Sequence, residues 1–152
     1  MAKGMTRGGF ETLRVYALAE ALADSVWEIV MKWELFARET LGRQLARAAD
    51  SIGANIAEGT GRGSYQDNRR FVRIARGSLY ETRHWLRRAY KRKLITDKQV
   101  LALKPLLEEL APKLNAYLKS IGTNPGLPMP VDGVPPRHVQ GTRPTRKANS
   151  DK

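Results

Sequence analysis

Residues 64–93, SYQDNRRFVRIARGSLYETRHWLRRAYKRK, decide the fold, because they read as one long helix with two chemically opposed faces. Phe71, Ile74, Ala75, Ser78, Leu79, Thr82, Trp85, Leu86 and Ala89 recur at the i, i+3, i+4 spacing of a buried stripe. Opposite them, Arg69, Arg73, Arg76, Tyr80, Arg83, Arg87 and Lys91 step by threes and fours along a single ridge. The first face requires apolar neighbours, so this helix belongs to a bundle. The second presents guanidiniums, a phenol and an ammonium outward.

Charge is concentrated on the same stretch. Between Arg62 and Lys93, eleven arginines and lysines stand against Asp67 and Glu81, which puts nine of the chain's net +12 charges here. Like charges one turn apart destabilise a helix by roughly 0.2–0.5 kcal/mol per pair, and solvated helix faces ordinarily mix signs. The ridge therefore reads as a polyanion-binding surface, with the seven residues named above as candidate nucleic-acid contacts. Anionic lipid is the weaker counter-surface, since the face opposite the arginines is spent on the fold.

With 152 residues and 41% apolar content, the chain supports one domain and a tail. Absence of cysteine excludes disulfides, thiolate metal sites and a cysteine nucleophile, and suits a reducing cytoplasm. No apolar segment follows Lys3 and Arg7, and no stretch is apolar enough to span a bilayer, so a cytoplasmic protein without membrane contact is expected. The expected organisation is a flexible start over residues 1–10, a helical domain over 11–122 and a Pro/Gly-rich basic flexible tail over 123–152. In that tail Arg137, Arg143, Arg146 and Lys147 either reach phosphates or serve only solubility.

Outward from the central helix, the rest of the bundle follows from spacing. A first helix starts at Glu11 or Thr12 and closes near residue 33, with Leu18, Leu22, Val26, Ile29 and Trp33 facing inward and Trp27 placed in the core or an interface. A second occupies about residues 39–58, with Leu41, Leu45, Ala48, Ala49, Ile52 and Ile56 inward and many small residues that allow close helix approach. Gly59 to Ser64 resembles a phosphate loop only superficially, because a helix and not a strand precedes it. It reads instead as a glycine C-cap followed by Ser64 capping the central helix, with Asp67 in its first turn. Thr96-Asp97-Lys98-Gln99 is a capping box opening a fourth helix with Leu103, Leu107, Leu110, Leu114, Tyr117 and Ile121 inward. Pro105 and Pro112 predict a kink or restart near Lys104, and Gly122 ends the helix. Four helices joined by short turns predict an all-α, antiparallel up-down four-helix bundle.

Residues 45–64, LARAADSIGANIAEGTGRGS, with Arg70-Phe71, residues 74–81 and the Leu86–Ala89 segment, resemble the four-helix-bundle proteins associated with intervening sequences in 23S ribosomal RNA genes. The match spans most of residues 12–121 and none of the tail. It departs from the family pattern at Ala37 and Gly53, where relatives carry proline, and at Pro105 and Pro112. The resemblance implies a left-handed bundle that assembles as a ring-shaped homopentamer and binds nucleic acid. The accessory proteins of diversity-generating retroelements are similar in fold, and likeness to them would instead imply a basic face that docks a reverse transcriptase.

The motif residues Ser51, Asn55, Glu58 and Gly59 have structural roles that need no ligand. Ser51 and Asn55 lie one turn apart and can hydrogen-bond across to the third helix or to a neighbouring subunit. Glu58 can pair with Arg62 or reach an arginine on the third helix. Catalysis, cofactors and metals are not expected. His84 and His138 are the two histidines and form no ligand pair, and Asp67 and Glu81 sit fourteen residues, roughly 21 Å, apart on one helix.

Overall fold

A computed structural model describes residues 9–122, so residues 1–8 and the tail from 123 lie outside the described residues. A 3-10 turn, Gly9–Thr12, leads into four long helices: α1 (Arg14–Met31), α2 (Arg43–Thr60), α3 (Tyr65–Lys91) and α4 (Asp97–Ser120). Among the described residues there is no strand. Contacts run around a square, α1 to α2 to α3 to α4 and back to α1, which is the four-helix bundle that the periodicity predicts.

Each turn has a local cause. Lys32 and Trp33 fold back to the carbonyls of Ile29 and Val30, and Trp33 buries its ring at this end of the core. The chain resumes helix at Leu35–Ala37 and passes through a π-turn, Arg38–Gly42, before α2, so helix restarts earlier than the expected position near Glu39. Gly42 is required there, because a Cβ on it would lie 2.7 Å from Val30 Cγ1. Between α2 and α3, Gly63 takes a positive φ and Ser64 accepts the Asp67 N–H at 3.1 Å, as expected of the cap. Leaving α3, Lys93 adopts φ +60° and the Leu94 N–H bonds Ala89 O at 2.9 Å, a Schellman closure. The Thr96–Gln99 capping box opens α4 with both reciprocal bonds formed.

Most inward positions are buried as expected, including Leu18, Leu22, Val26, Leu41, Leu45, Ile52, Ile56, Leu79, Leu110 and Leu114. Three expectations need correction. Ile74 is 44% exposed and Val72 takes its place in the core, because α3 meets α2 on one flank and α4 on the other and the buried arc shifts accordingly. Trp27, expected in the core or an interface, is 55% exposed, which excludes only the core. Of the kink or restart expected near Lys104, the restart does not occur: α4 is continuous through Pro105 and Pro112. Both prolines, and Leu101 and Glu108 whose carbonyls they leave without an N–H partner, are on the exposed side, where water can take over the bond.

α2 and α3 form the closest-packed pair. Gly59 explains part of this, since a Cβ there would stand 2.6 Å from Asn68 Oδ1 and 3.0 Å from Phe71 Cβ. α3 and α4 are more loosely joined, and a cleft of about 460 Å³ opens between them.

Candidate functional site

α3 carries the basic ridge because its opposite stripe, Phe71, Val72, Ala75, Leu79, Leu86 and Ala89, is consumed in the core. The seven ridge residues do not share one environment. Arg73, Tyr80, Arg83, Arg87 and Lys91 are exposed. Arg69 and Arg76 are partly buried and lean onto α4: Arg69 donates to Ile121 O at 2.9 Å, and Arg76 donates to Asn115 Oδ1 at 3.2 Å. Arg69 thus satisfies a carbonyl at the end of α4, while its charge stays without a carboxylate.

Ion pairs among the described residues join Arg14 to Glu109, Arg43 to Glu39, Arg62 to Glu58 and Lys104 to Glu108. None of these involves Arg69, Arg73, Arg76, Arg83, Arg87 or Lys91. The two acids of the basic segment are occupied elsewhere: Asp67 lies in the capped first turn of α3, and Glu81 accepts from Trp85 Nε1 at 3.2 Å. The ridge is therefore without a carboxylate counter-charge among the described residues.

Two features escaped the reading of spacing. Arg62 and Arg70 both stand over the Phe71 ring, at 4.8 and 5.0 Å from its centroid; Arg70 extends the cationic surface around the N-terminal end of α3, whereas the charge of Arg62 is met by Glu58. The adjacent Arg70-Phe71 pair was visible in the sequence, whereas the approach of Arg62 from the preceding turn was not. At the other end of the ridge, Arg83 and Arg87 border the α3/α4 cleft, whose existence depends on helix separation and leaves no mark in periodicity.

The motif residues take structural positions. Ser51 shares a 2.6 Å hydrogen bond with Ser78 on α3, Asn55 donates back to Ser51 O at 2.7 Å, and Glu58 pairs with Arg62 at 2.6 Å in solvent and not with an arginine of α3. His84 is exposed and edge-on to Trp85, and no group of three or more His, Asp or Glu among the described residues is placed to hold a metal ion. No helix among the described residues is long and apolar enough to cross a membrane.

The molecule is thus a helical bundle with a basic, carboxylate-poor face along its third helix. The chain belongs to the family of 23S rRNA-intervening sequence proteins, whose family model matches residues 11–116. Its fold is similar to the crystal structure of a protein of unknown function from the S23 ribosomal protein family of Bacteroides thetaiotaomicron, with a TM-score of 0.60 at 23% identity over 69% of this chain and 98% of that one. No curated protein matches it.

Proposed function

We propose that this protein is a non-enzymatic homo-oligomer that binds the backbone of RNA or DNA along the outward face of α3. The observation that supports this reading is the set of exposed cations, Arg73, Arg83, Arg87 and Lys91, with no carboxylate partner among the described residues. Phosphates supply the missing counter-charge, and phosphate contacts position a partner without reading its bases, so little sequence preference is expected. Tyr80, 55% exposed within the ridge, offers a stacking face to an unpaired base.

Self-association is supported by an apolar surface at the α1/α2 end of the bundle, where Trp27, Met31, Leu35 and Phe36 are exposed, Phe36 at 82%. Such a patch is costly to leave in water. Assembly as the pentamer that family likeness implies would multiply the ridge fivefold and strengthen its field.

Filter binding of RNA and DNA oligonucleotides across a salt series tests the reading. Affinity should fall steeply from low to moderate salt for both polymers. Salt-independent binding, or a partner retained from lysate after nuclease digestion, would instead favour an acidic protein partner such as a reverse transcriptase.

A further inference from the structure

We infer that the cleft between α3 and α4 is a binding site for a free amphipathic anion, an alkyl chain ending in a single carboxylate. Its volume of about 460 Å³ lies within the roughly 300–1,000 Å³ typical of small-molecule sites. The floor is aliphatic: Leu86, Ile95 and Leu103 line it, so an alkyl chain laid there leaves water without stranding any polar group.

The rim supplies the charge selection. Arg83 and Arg87 stand one turn apart on the α3 wall, exposed and without a carboxylate partner among the described residues. Glu108, the acid that lines the cleft, is paired with Lys104 at 3.7 Å on the α4 side. Tyr90 also lines the cleft, and its hydroxyl donates to Asp97 Oδ1 at 3.0 Å. An incoming carboxylate therefore meets two adjacent guanidinium forks, the donor geometry best suited to it.

Other occupants fit less well. A polynucleotide has no use for an aliphatic floor, and a second copy docking cleft to cleft would bring its own arginines against these, while one docking by a different surface is tested by the oligomer readout below. The site shares Arg83 and Arg87 with the proposed nucleic-acid ridge but does not rest on that reading, because a carboxylate needs no polymer.

The experiment is titration of the full chain with decanoate below its micellar concentration, followed by calorimetry and by NMR of Ile, Leu and Val methyl groups. Saturable binding of one decanoate per chain is expected, with shifts at Ile95, Val100, Leu103 and Leu107. Decyltrimethylammonium, with the same alkyl chain and the opposite charge, should bind at least tenfold more weakly. The exposed pair Arg83→Gln/Arg87→Gln should weaken decanoate at least fivefold, with Arg83→Lys/Arg87→Lys retaining more of the affinity. Val100→Trp, which fills the cleft without adding charge, should abolish decanoate binding while leaving RNA affinity within twofold, which separates this site from the ridge.

Absence of saturable binding, equal binding of the two amphiphiles, or shifts confined to the Trp27–Phe36 surface would overturn the proposal. So would dissociation of an oligomer by Val100→Trp, which would assign the cleft to a second copy.

Discussion

The hydroxyls of Ser51 on α2 and Ser78 on α3 lie 2.6 Å apart inside the closest helix pair of the bundle. Ser51 also lies 3.2 Å from Ala48 O, and Ser78 is buried. Side chains larger than serine at either position would push α2 from α3; alanine at 51 would leave the Ser78 hydroxyl short of a partner, whereas alanine at 78 leaves Ser51 its bond to Ala48 O. Ser51→Ala alone should cost about 1–2 kcal/mol, the penalty of a buried hydroxyl that loses its bond. Ser51→Ala/Ser78→Ala should cost less than the sum of the single changes, with a coupling of about 0.5–1 kcal/mol in a urea double-mutant cycle. Additive costs would show that the two hydroxyls do not act as a pair.

Two glycines on neighbouring helices should respond to alanine in opposite directions. Gly77 is exposed in the middle of α3, and a methyl group added there would have nothing within 4 Å, so Gly77→Ala should stabilise by about 1 kcal/mol through helix propensity alone. Gly59 would gain the same propensity, but its Cβ would meet the Asn68 backbone oxygen at 3.2 Å and Phe71 Cβ at 3.0 Å, atoms that move only with α3. Overpacking of that kind costs about 1–3 kcal/mol, so Gly59→Ala should lower the urea midpoint while Gly77→Ala raises it.

Much of this architecture was legible in the chain because its causes are local. The Ser64 cap, the Thr96–Gln99 box and the apolar stripes of α2 and α4 each follow from residues within a turn or two of one another. What was hidden depends on partners distant in sequence. The α1/α2 turn has no proline and no glycine before Gly42 at its end; Trp33 burial and the close pass of Gly42 over Val30 set it. The burial of Val72 in preference to Ile74 is decided by where α2 and α4 sit around α3. In the same way the ridge appears uniform in sequence, yet Arg69 and Arg76 are drawn onto α4 by Ile121 and Asn115.

Lys93 closes α3 in a left-handed conformation, φ +60°, that a side chain disfavours by roughly 1 kcal/mol. Lys93→Gly should therefore stabilise the protein by about 0.5–1 kcal/mol, seen as a higher urea midpoint with an unchanged slope. Lys93→Val should do the reverse. The same pair of changes made at exposed Lys91, inside the helix, should show glycine as the less stable member.

Asp50 on α2 has its carboxyl raised above the ordinary 3.8, first by burial and then by the charge of Asp24 on α1. A raised folded pKa means that the native chain holds this proton more tightly than the unfolded chain does. Stability from this group is therefore present below 3.8 and is lost as pH rises through the folded value. Asp50→Asn should raise the melting temperature at pH 7, and its advantage should shrink on acidification and vanish below about pH 3.8. An advantage that grows on acidification would contradict this assignment.

The ridge residues should separate into two classes when changed to glutamine. Arg73, Arg83 and Arg87 stand in solvent, so the triple change should leave the melting temperature within about 2 °C while reducing nucleic-acid affinity. Each lost phosphate contact lowers the slope of log affinity against log salt by about 0.7 for a single strand or 0.9 for a duplex, so the triple change should flatten it by roughly 2–3. Arg69→Gln should behave differently, because its guanidinium bonds Ile121 O at the end of α4. Loss of a charged donor from a carbonyl costs about 1–3 kcal/mol, so this variant should unfold at lower urea while its salt slope falls by no more than one contact. If the solvent-facing triple variant loses stability but keeps its salt slope, these arginines support the bundle and another surface meets the polymer.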